Sequence, residues 1–353
     1  MKTKKILVAM SGGVDSSVAA FLLKKQGYQV HGITMAFQVL HGSSNDPRSG
    51  SGLSDAKRVC EILDIPHQTL EISNEFEKEV IKPFIKEYLS GRTPNPCIIC
   101  NRRIKFGFLF NYAMKNGFEF FATGHYAQID FIDNQFFLRK PRDHSKDQTY
   151  FLYNIPKETL SRILFPLAHL TKEEVKSLFH QLDLQMDEKP ESQDICFLPR
   201  GDYRDFIKNR SHLDLSGPIV HIQGEVLGHH DGIYLYTIGQ RKGLGISHSR
   251  PLYVVDIDLT RNAVIVGEKK DLQAMALVAN HVNFLVDRIP DQEIFALIRY
   301  SQKEHQCSLE KINNEIKVNF YKKLENITPG QSVVWYTRDG IVIGGGIIKE
   351  VLR

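Results

Sequence analysis

No run of apolar residues in this chain approaches the ~20 needed to cross a bilayer as a helix, which argues against a membrane-spanning helical protein. Charge of one sign is also missing: 45 Lys and Arg against 41 Asp and Glu leave a net +4, which permits a polyanionic partner without demanding one. Cysteine is scarce. Five in 353 residues, an odd number at irregular spacing, argue against a secreted disulfide framework and leave some thiols for chemistry or metal binding. The stretch Met1-Lys2-Thr3-Lys4-Lys5 runs into an apolar strand pattern without the features of a secretory signal, so the expected location is cytoplasmic. The remaining composition is ordinary for a globular chain, 42% apolar and 24% charged, and the chain is long enough for two or three domains.

The first informative stretch is Ser11-Gly12-Gly13-Val14-Asp15-Ser16-Ser17, between an apolar run from Ile6 to Met10 and apolar residues at helical spacing from Val18 to Leu23. The pattern predicts strand, loop, helix. Adjacent glycines let successive N–H groups face one point, and the helix N-terminus adds partial positive charge, which makes an anion cradle. The lysine of the Gly-Lys-Ser/Thr nucleotide loop is absent. Hydroxyls of Ser11, Ser16 and Ser17 and the Asp15 carboxylate stand instead, a set suited to pyrophosphate with a divalent metal balancing its charge. A plain glycine turn is the alternative.

Gln29 to Thr34 is a second predicted strand, and strand, helix, strand begins a parallel α/β sheet. Met35 falls just past it, where ligands bind in such sheets, although its spacing equally suits a core position. Residues 41–54 predict a loop near the nucleotide, and Ser54 a helix cap before Leu63, with Cys60 in the apolar face. After a helix from about Glu75 to Leu89, Pro94 and Pro96 flank Asn95 and hold the chain extended, delivering Cys97 and Cys100 to a helix predicted over Asn101 to Lys115. Helix N–H groups with Arg102 and Arg103 favour a thiolate there, while half of a structural zinc site is the other reading of C-x-x-C. Phe118 to Ala122 is a buried strand ending in Thr123-Gly124-His125-Tyr126, where His125 also suits a core role. A hairpin over Gln128 to Lys140 turns at Asp133-Asn134, Lys146-Asp147-Gln148 is a charged loop, and Thr171 to Gln181 is a helix with a capping box at Thr171 and Glu174. Cys196, between Ile195 and Phe197, would by itself read as core, and Cys60 and Cys307 as inert. Beyond Pro199, short strands over Pro218 to Ile222, Glu225 to Gly228 and Tyr234 to Thr237 precede strands over Ala296 to Tyr300, Glu315 to Phe320, Ser332 to Tyr336 and Ile341 to Ile348. The latter suit a small β-barrel.

SGGVDSS resembles the loop of the PP-loop ATP pyrophosphatases, which cut ATP between the α and β phosphates and place AMP on a substrate oxygen. Taken with PNPCIIC and the IKF after it, TGHY, KDQ, Ile195-Cys196-Phe197 and the run Tyr236 to Gly245, the chain resembles the tRNA-specific 2-thiouridylases over essentially its full length. These replace O2 of the wobble uridine with sulfur. The resemblance implies an α/β class: a parallel-sheet PP-loop nucleotide-binding domain over 1–200, a small mostly-β central domain over 201–275 and a C-terminal β-barrel over 276–353. It implies ATP, with Mg²⁺, at Ala9, Met10, Ser11, Gly12, Gly13, Val14, Asp15, Ser16, Ser17, Met35 and Gly124. It implies tRNA at Asn95, Pro96, Cys97, His125, Lys146, Asp147, Gln148, Arg299, Tyr300 and Gln331, with Asn95 to Cys97 bordering a base flipped from its stack. Cys196 would carry sulfur as a persulfide and Cys100 would release it by forming a disulfide with Cys196. A sulfur-donor protein, a desulfurase or a relay protein, is the second implied partner. Arg241-Lys242-Gly243 is a phosphate-contacting loop or an exposed basic turn.

Two departures stand out. Cys97 replaces the Asp of many members, and Gln193-Asp194 replaces their Thr-Gly. Cys97 supplies a third thiol, so Cys97, Cys100 and Cys196 as thiolates could hold a [4Fe-4S] cluster with one iron open to sulfide, an alternative to the persulfide relay. From another class, a PP-loop ATP-dependent amidating ligase of a small metabolite would use the barrel for oligomerisation and leaves the paired cysteines unexplained.

Overall fold

The computed structural model describes residues 3–38, 48–182, 195–198, 203–211, 216–300 and 302–353; for 48–51 it describes the backbone alone. In the first segment of the chain lie strands β1 (Lys5–Ala9), β2 (Gln29–Ala36), β3 (His67–Glu71), β4 (Phe120–Ala122), the hairpin pair β5 (Gln128–Ile132) and β6 (Gln135–Arg139), and β7 (Ile163–Leu164). Five of them pair in parallel in the order β3-β2-β1-β4-β7. Central β1 is covered on both faces, which its unbroken apolar run permits. Ile6 and Val8 pack with the helix Val14–Lys25 on one side, and Leu7 joins Ile33 and Phe121 on the other.

Three local expectations change. The helix expected from Ser54 begins earlier and spans Arg48–Ile62, because its first turns pack onto Gly12 of the loop and tertiary contact overrides the poor helix propensity of the Ser/Gly run. Residues 41–47 of the predicted loop lie outside the described residues. Strand β2 runs to Ala36 because β3 pairs it as far as Glu71, so Met35 is inside the strand near its carboxyl end. Tyr234 to Thr237 is not a strand: Ile233–Leu235 form a 3₁₀ turn that buries Tyr234 with Phe76, Phe84 and Phe206.

The central region is a four-stranded sheet in the order Tyr253–Asp258, Ala263–Gly267, Gly217–His221, Val226–His230. The strands Ala274–Phe284, Ile294–Leu297, His305–Ile312, Glu315–Leu324, Ser332–Thr337 and Val342–Leu352 close into a barrel around fully buried Trp335. The barrel and the parallel-sheet domain share one core, in which Leu297, Val334, Tyr336 and Val342 meet Phe106, Phe121, Tyr150 and Tyr153. Polar groups at this seam are paired: Tyr150 Oη donates to the Ser332 carbonyl at 2.9 Å, and Asn283 Nδ2 donates to the carbonyls of Tyr153 and Ile155 at 2.9 and 3.0 Å. Among the described residues no helix is long and apolar enough to cross a membrane.

The shared core has a testable consequence. Phe121→Ala, in the sheet, is expected to cost about 3–5 kcal/mol. Because the chain has a single tryptophan and it lies in the barrel, denaturant titration should show Trp335 fluorescence and far-UV circular dichroism shifting together. Separate transitions would mean that the two bodies unfold independently.

Candidate active site

The glycine loop sits at the carboxyl end of β1. Its hydroxyls shape it from within: Ser16 Oγ and Ser17 Oγ both donate to the Gly13 carbonyl, at 3.1 and 2.9 Å, and the Ser11 N–H donates to Ser16 Oγ at 3.2 Å. Donors left for an anion are therefore chiefly backbone N–H groups. The Asp15 carboxylate is also engaged, since its Oδ1 accepts from Tyr126 Oη at 2.9 Å and from Lys172 Nζ at 2.7 Å. One carboxylate oxygen is thus shared between two donors while the side chain stays 34% exposed. The cause is Lys172, whose side chain is only 7% exposed, so its ammonium requires an anionic partner. A lysine absent from the loop in sequence is thus supplied to it from 157 residues away. No local signal marked it, since a lysine directly after the cap Thr171 reads as an exposed first-turn residue.

The cysteine segment differs more. The helix begins at Pro96, with Asn95 as cap accepting from the Cys97 N–H at 3.1 Å, so Cys97 and Cys100 lie inside its first turns. From Asn101 to Leu109 the helix is π-helical, as in the bond from Phe110 N–H to the Lys105 carbonyl. Lys105 lies within this run, and π-helical segments are frequent at functional sites. Arg102 and Arg103 point elsewhere: Arg102 Nη1 donates to the Asn154 carbonyl at 2.9 Å, and Arg103 Nε is 3.8 Å from Glu79. Lys105 is the cation acting on the thiols.

Cys97 and Cys196 reach the surface and Cys100 is half-buried. All three are crowded by protein. Desolvation pushes Cys100 up to about 11, with Lys105 opposing the rise and Cys97 adding to it. The same cause pushes Cys196 up to about 12, with Cys100 and Cys97 adding and Lys105 opposing, and it raises Cys97 against Lys105. The expectation of helix- and arginine-stabilised thiolates is therefore corrected: burial outweighs the one cation present. Cys196, distant in sequence, is near enough for Cys97 and Cys100 to act on it. Cys60 and Cys307 are buried elsewhere, as expected.

Thr123, Gly124 and His125, at the end of β4, join cradle to thiols. Gly124 packs so closely on the loop that a Cβ would lie 2.7 Å from the Asp15 carbonyl carbon and 2.8 Å from Ser16 N, so the space its missing side chain leaves is filled by the cradle. Next to it, His125 Nε2 lies 3.3 Å from Lys105 Nζ and His125 Nδ1 lies 2.7 Å from Thr123 Oγ1. Burial, then Lys105, holds His125 well below its ordinary value, so the ring is neutral; with Lys105 donating to Nε2, the ring proton sits on Nδ1 and is given to Thr123.

The remaining expected RNA residues form a second group. Gln148 accepts from the Tyr126 N–H at 2.9 Å through Oε1, and Asp147 accepts from Thr149 N–H and Oγ1 at 2.9 and 2.6 Å, so both side chains are engaged inside the protein. Lys146 is half-buried beside them. Tyr300, 43% exposed, has its ring 4.4 Å from that of Phe151, which places the Arg299–Tyr300 corner on the same face as Lys146 to Phe151. Arg299 Nη2 donates to Thr328 Oγ1 at 2.8 Å, and Gln331 Nε2 donates to the Thr93 carbonyl at 2.8 Å. Gln193 and Asp194 lie outside the described residues.

Families described as tRNA methyl transferase HUP domain, tRNA methyl transferase PRC-barrel domain and Aminomethyltransferase beta-barrel domain match residues 4–200, 204–268 and 274–348. The chain is 49% identical over 351 residues to the tRNA-specific 2-thiouridylase MnmA 1 of Syntrophus aciditrophicus, covering 99% of this chain and 94% of that one. The chain belongs to the tRNA-specific 2-thiouridylase family. The tRNA-specific 2-thiouridylase MnmA 1 of Caldanaerobacter subterraneus and the MnmA of Caldicellulosiruptor saccharolyticus are each 45% identical, covering 99% of both chains. The domain descriptions speak of methyl transfer, but the relatives that match across all three segments are thiouridylases, which is the more specific statement. Within that family, Lys105 and Lys172 are the residues that motif reading passed over as site residues.

The thiol electrostatics predict a measurable pH response. In native enzyme, iodoacetamide alkylation of Cys100 at pH 8 is expected to be at least about tenfold slower than in denatured chain, one pKa unit being tenfold in thiolate. The rate should climb through pH 9 and 10 as thiolate forms. Lys105→Met removes the charge that lowers the Cys100 thiol and should slow Cys100 further; an unchanged profile would remove Lys105 from the site.

Proposed function

We propose that this chain uses ATP to activate the O2 of the wobble uridine of certain tRNAs and replaces it with sulfur. The observation that carries this reading is the pairing of an anion cradle with a three-thiol site through two adjacent residues, Gly124 against Asp15–Ser16 and His125 on Lys105. A uracil carbonyl oxygen is a poor leaving group. Transfer of AMP to it, with pyrophosphate departing against the backbone N–H groups of Gly12 and of Val14 to Ser16, turns it into a good one. A persulfide on Cys196 attacks C2 through its outer sulfur and expels AMP; Cys100, after losing its proton, attacks Cys196 Sγ, so that a Cys100–Cys196 disulfide forms and the thiolated base leaves. A thiol reductant resets the pair. Lys105, held by neutral His125, is the cation beside the anionic sulfur that forms in these steps.

Mg²⁺ enters in this reading with the ATP phosphates. A [4Fe-4S] cluster fits poorly. Among the described residues no group of three His, Cys, Asp or Glu is arranged to hold a metal. Persulfide relay is therefore the mechanism adopted, with sulfur delivered by a desulfurase or relay protein. We place the enzyme in the cytoplasm with its tRNA substrate, divide the chain near residues 200 and 275, and assign the face of Lys146, Phe151, Arg299 and Tyr300 to the tRNA and Asn95–Cys97 to the target base. An amidating ligase gives the three cysteines no task, and the full-length relatives carry the thiouridylase name.

The test is ATP- and Mg²⁺-dependent thiolation of an unmodified tRNA, with a desulfurase and cysteine supplying sulfur already at the persulfide level and a thiol reductant present, read as 2-thiouridine by mass spectrometry. Wild type should form it, and Cys100→Ser and Cys196→Ser should abolish it. Cys97→Ser should retain activity within about tenfold, the effect of a neighbour that shifts a thiol pKa by one unit. Loss of labile sulfide and of all activity in Cys97→Ser would restore the cluster, and pyrophosphate release driven by a small amine instead of tRNA would overturn the reading.

A further inference from the structure

The chain segment that leads to the cysteines is held by the barrel. Thr93 N–H donates to the Pro329 carbonyl at 3.0 Å, and the Thr93 carbonyl accepts from Gln331 Nε2 at 2.8 Å. Both backbone groups of one residue, four positions before Cys97, are thus paired with one barrel loop. Gly330 lies between those partners with φ +92, and a Cβ on it would be 2.7 Å from Thr93 N and 2.9 Å from Arg92 Cβ. The loop is itself tied to the last barrel strand, with Gly330 N–H on the Ile348 carbonyl at 2.9 Å and Ile348 N–H on the Gln331 carbonyl at 2.8 Å. Thr328 Oγ1, on the same loop, accepts from Arg299.

The segment from Thr93 to Cys97 is stiff. Pro94 and Pro96 have locked φ, and Thr93 and Asn95 are restricted by the prolines after them, so few soft dihedrals separate Thr93 from Cys97. Asn95 then caps the helix on Cys97 N–H. An orientation set at Thr93 is carried to the helix start.

We propose that Gln331 is a positioning residue: through the Thr93 carbonyl it sets the angle at which Pro94-Asn95-Pro96 presents Cys97 and Cys100, making the barrel part of the active-site scaffold. The kinetic half of this inference rests on the thiolation reading; the chemical half does not.

Two measurements on the full-length protein test it. Gln331→Glu keeps the shape but turns an acceptor towards the Thr93 carbonyl, and Gln331→Ala removes the group. In the enzyme without ATP or tRNA, alkylation rates of Cys97 and Cys100 resolved by peptide mass spectrometry should change by about fivefold, the worth of one hydrogen bond, in both variants. Cys60 and Cys307, buried elsewhere, should stay protected and so report an intact fold. In tRNA thiolation kcat should fall about tenfold, while KM for tRNA stays within about twofold, because misplacement acts on the chemical step. Unchanged alkylation of both Cys97 and Cys100 overturns the proposal whatever the activity. A raised KM with unchanged kcat also overturns it, and would assign Gln331 to direct RNA contact. Should wild type show no thiolation, the alkylation result still decides the positioning role.

Discussion

The contact on which the rest depends is the close packing of the end of β4 on the glycine loop. Gly124 leaves room for the backbone of Asp15 and Ser16, and the ion pair of Lys172 with Asp15, braced by Tyr126 Oη, closes that junction from the other side. Tyr126 is in turn held through its N–H by Gln148. The loop that cradles an anion, the strand end that carries His125 and the segment expected to meet RNA are therefore one mechanical unit. A buried ion pair of this kind contributes little net stability but costs several kcal/mol to break on one side only, which makes it a specifier of geometry.

From that junction the site is built by desolvation. The three cysteines gather where the protein crowds them, and their thiols are held protonated against the pull of Lys105. A resting site of this kind is sluggish towards adventitious oxidants and alkylating agents, because the thiolate is the reactive form. Lys105, within the π-helical run from Asn101 to Leu109, is the cation whose charge reaches all three thiols.

The barrel is more than an appendage. It shares a core with the parallel-sheet domain and reaches the extended segment ahead of the cysteines by paired backbone bonds at Thr93. The Arg299–Tyr300 corner, in ring contact with Phe151 at a tilt of 48°, lies on the side of the barrel continuous with Lys146 to Gln148, so the face expected to meet RNA spans both bodies.

The sequence by itself determined the parallel α/β start, the hairpin at Asp133-Asn134, the capped helix at Thr171 and the barrel of the last third, because apolar periodicity and turn chemistry are local. It also determined the family, through SGGVDSS, the cysteine pair and the central TIGQRKGLG run, since those motifs are contiguous. Tertiary structure alone decided how the chemistry is set. No local pattern shows that Asp15 is claimed by Lys172, or that Arg102 and Arg103 turn away and leave Lys105 to face the thiols. Nor does one show that burial lifts the thiols where helix and arginines were expected to lower them, or that Gln331 reaches back to Thr93. Each of these depends on groups far apart in the chain meeting in the fold, and the free energy of a charge or thiol is set by its neighbours in space.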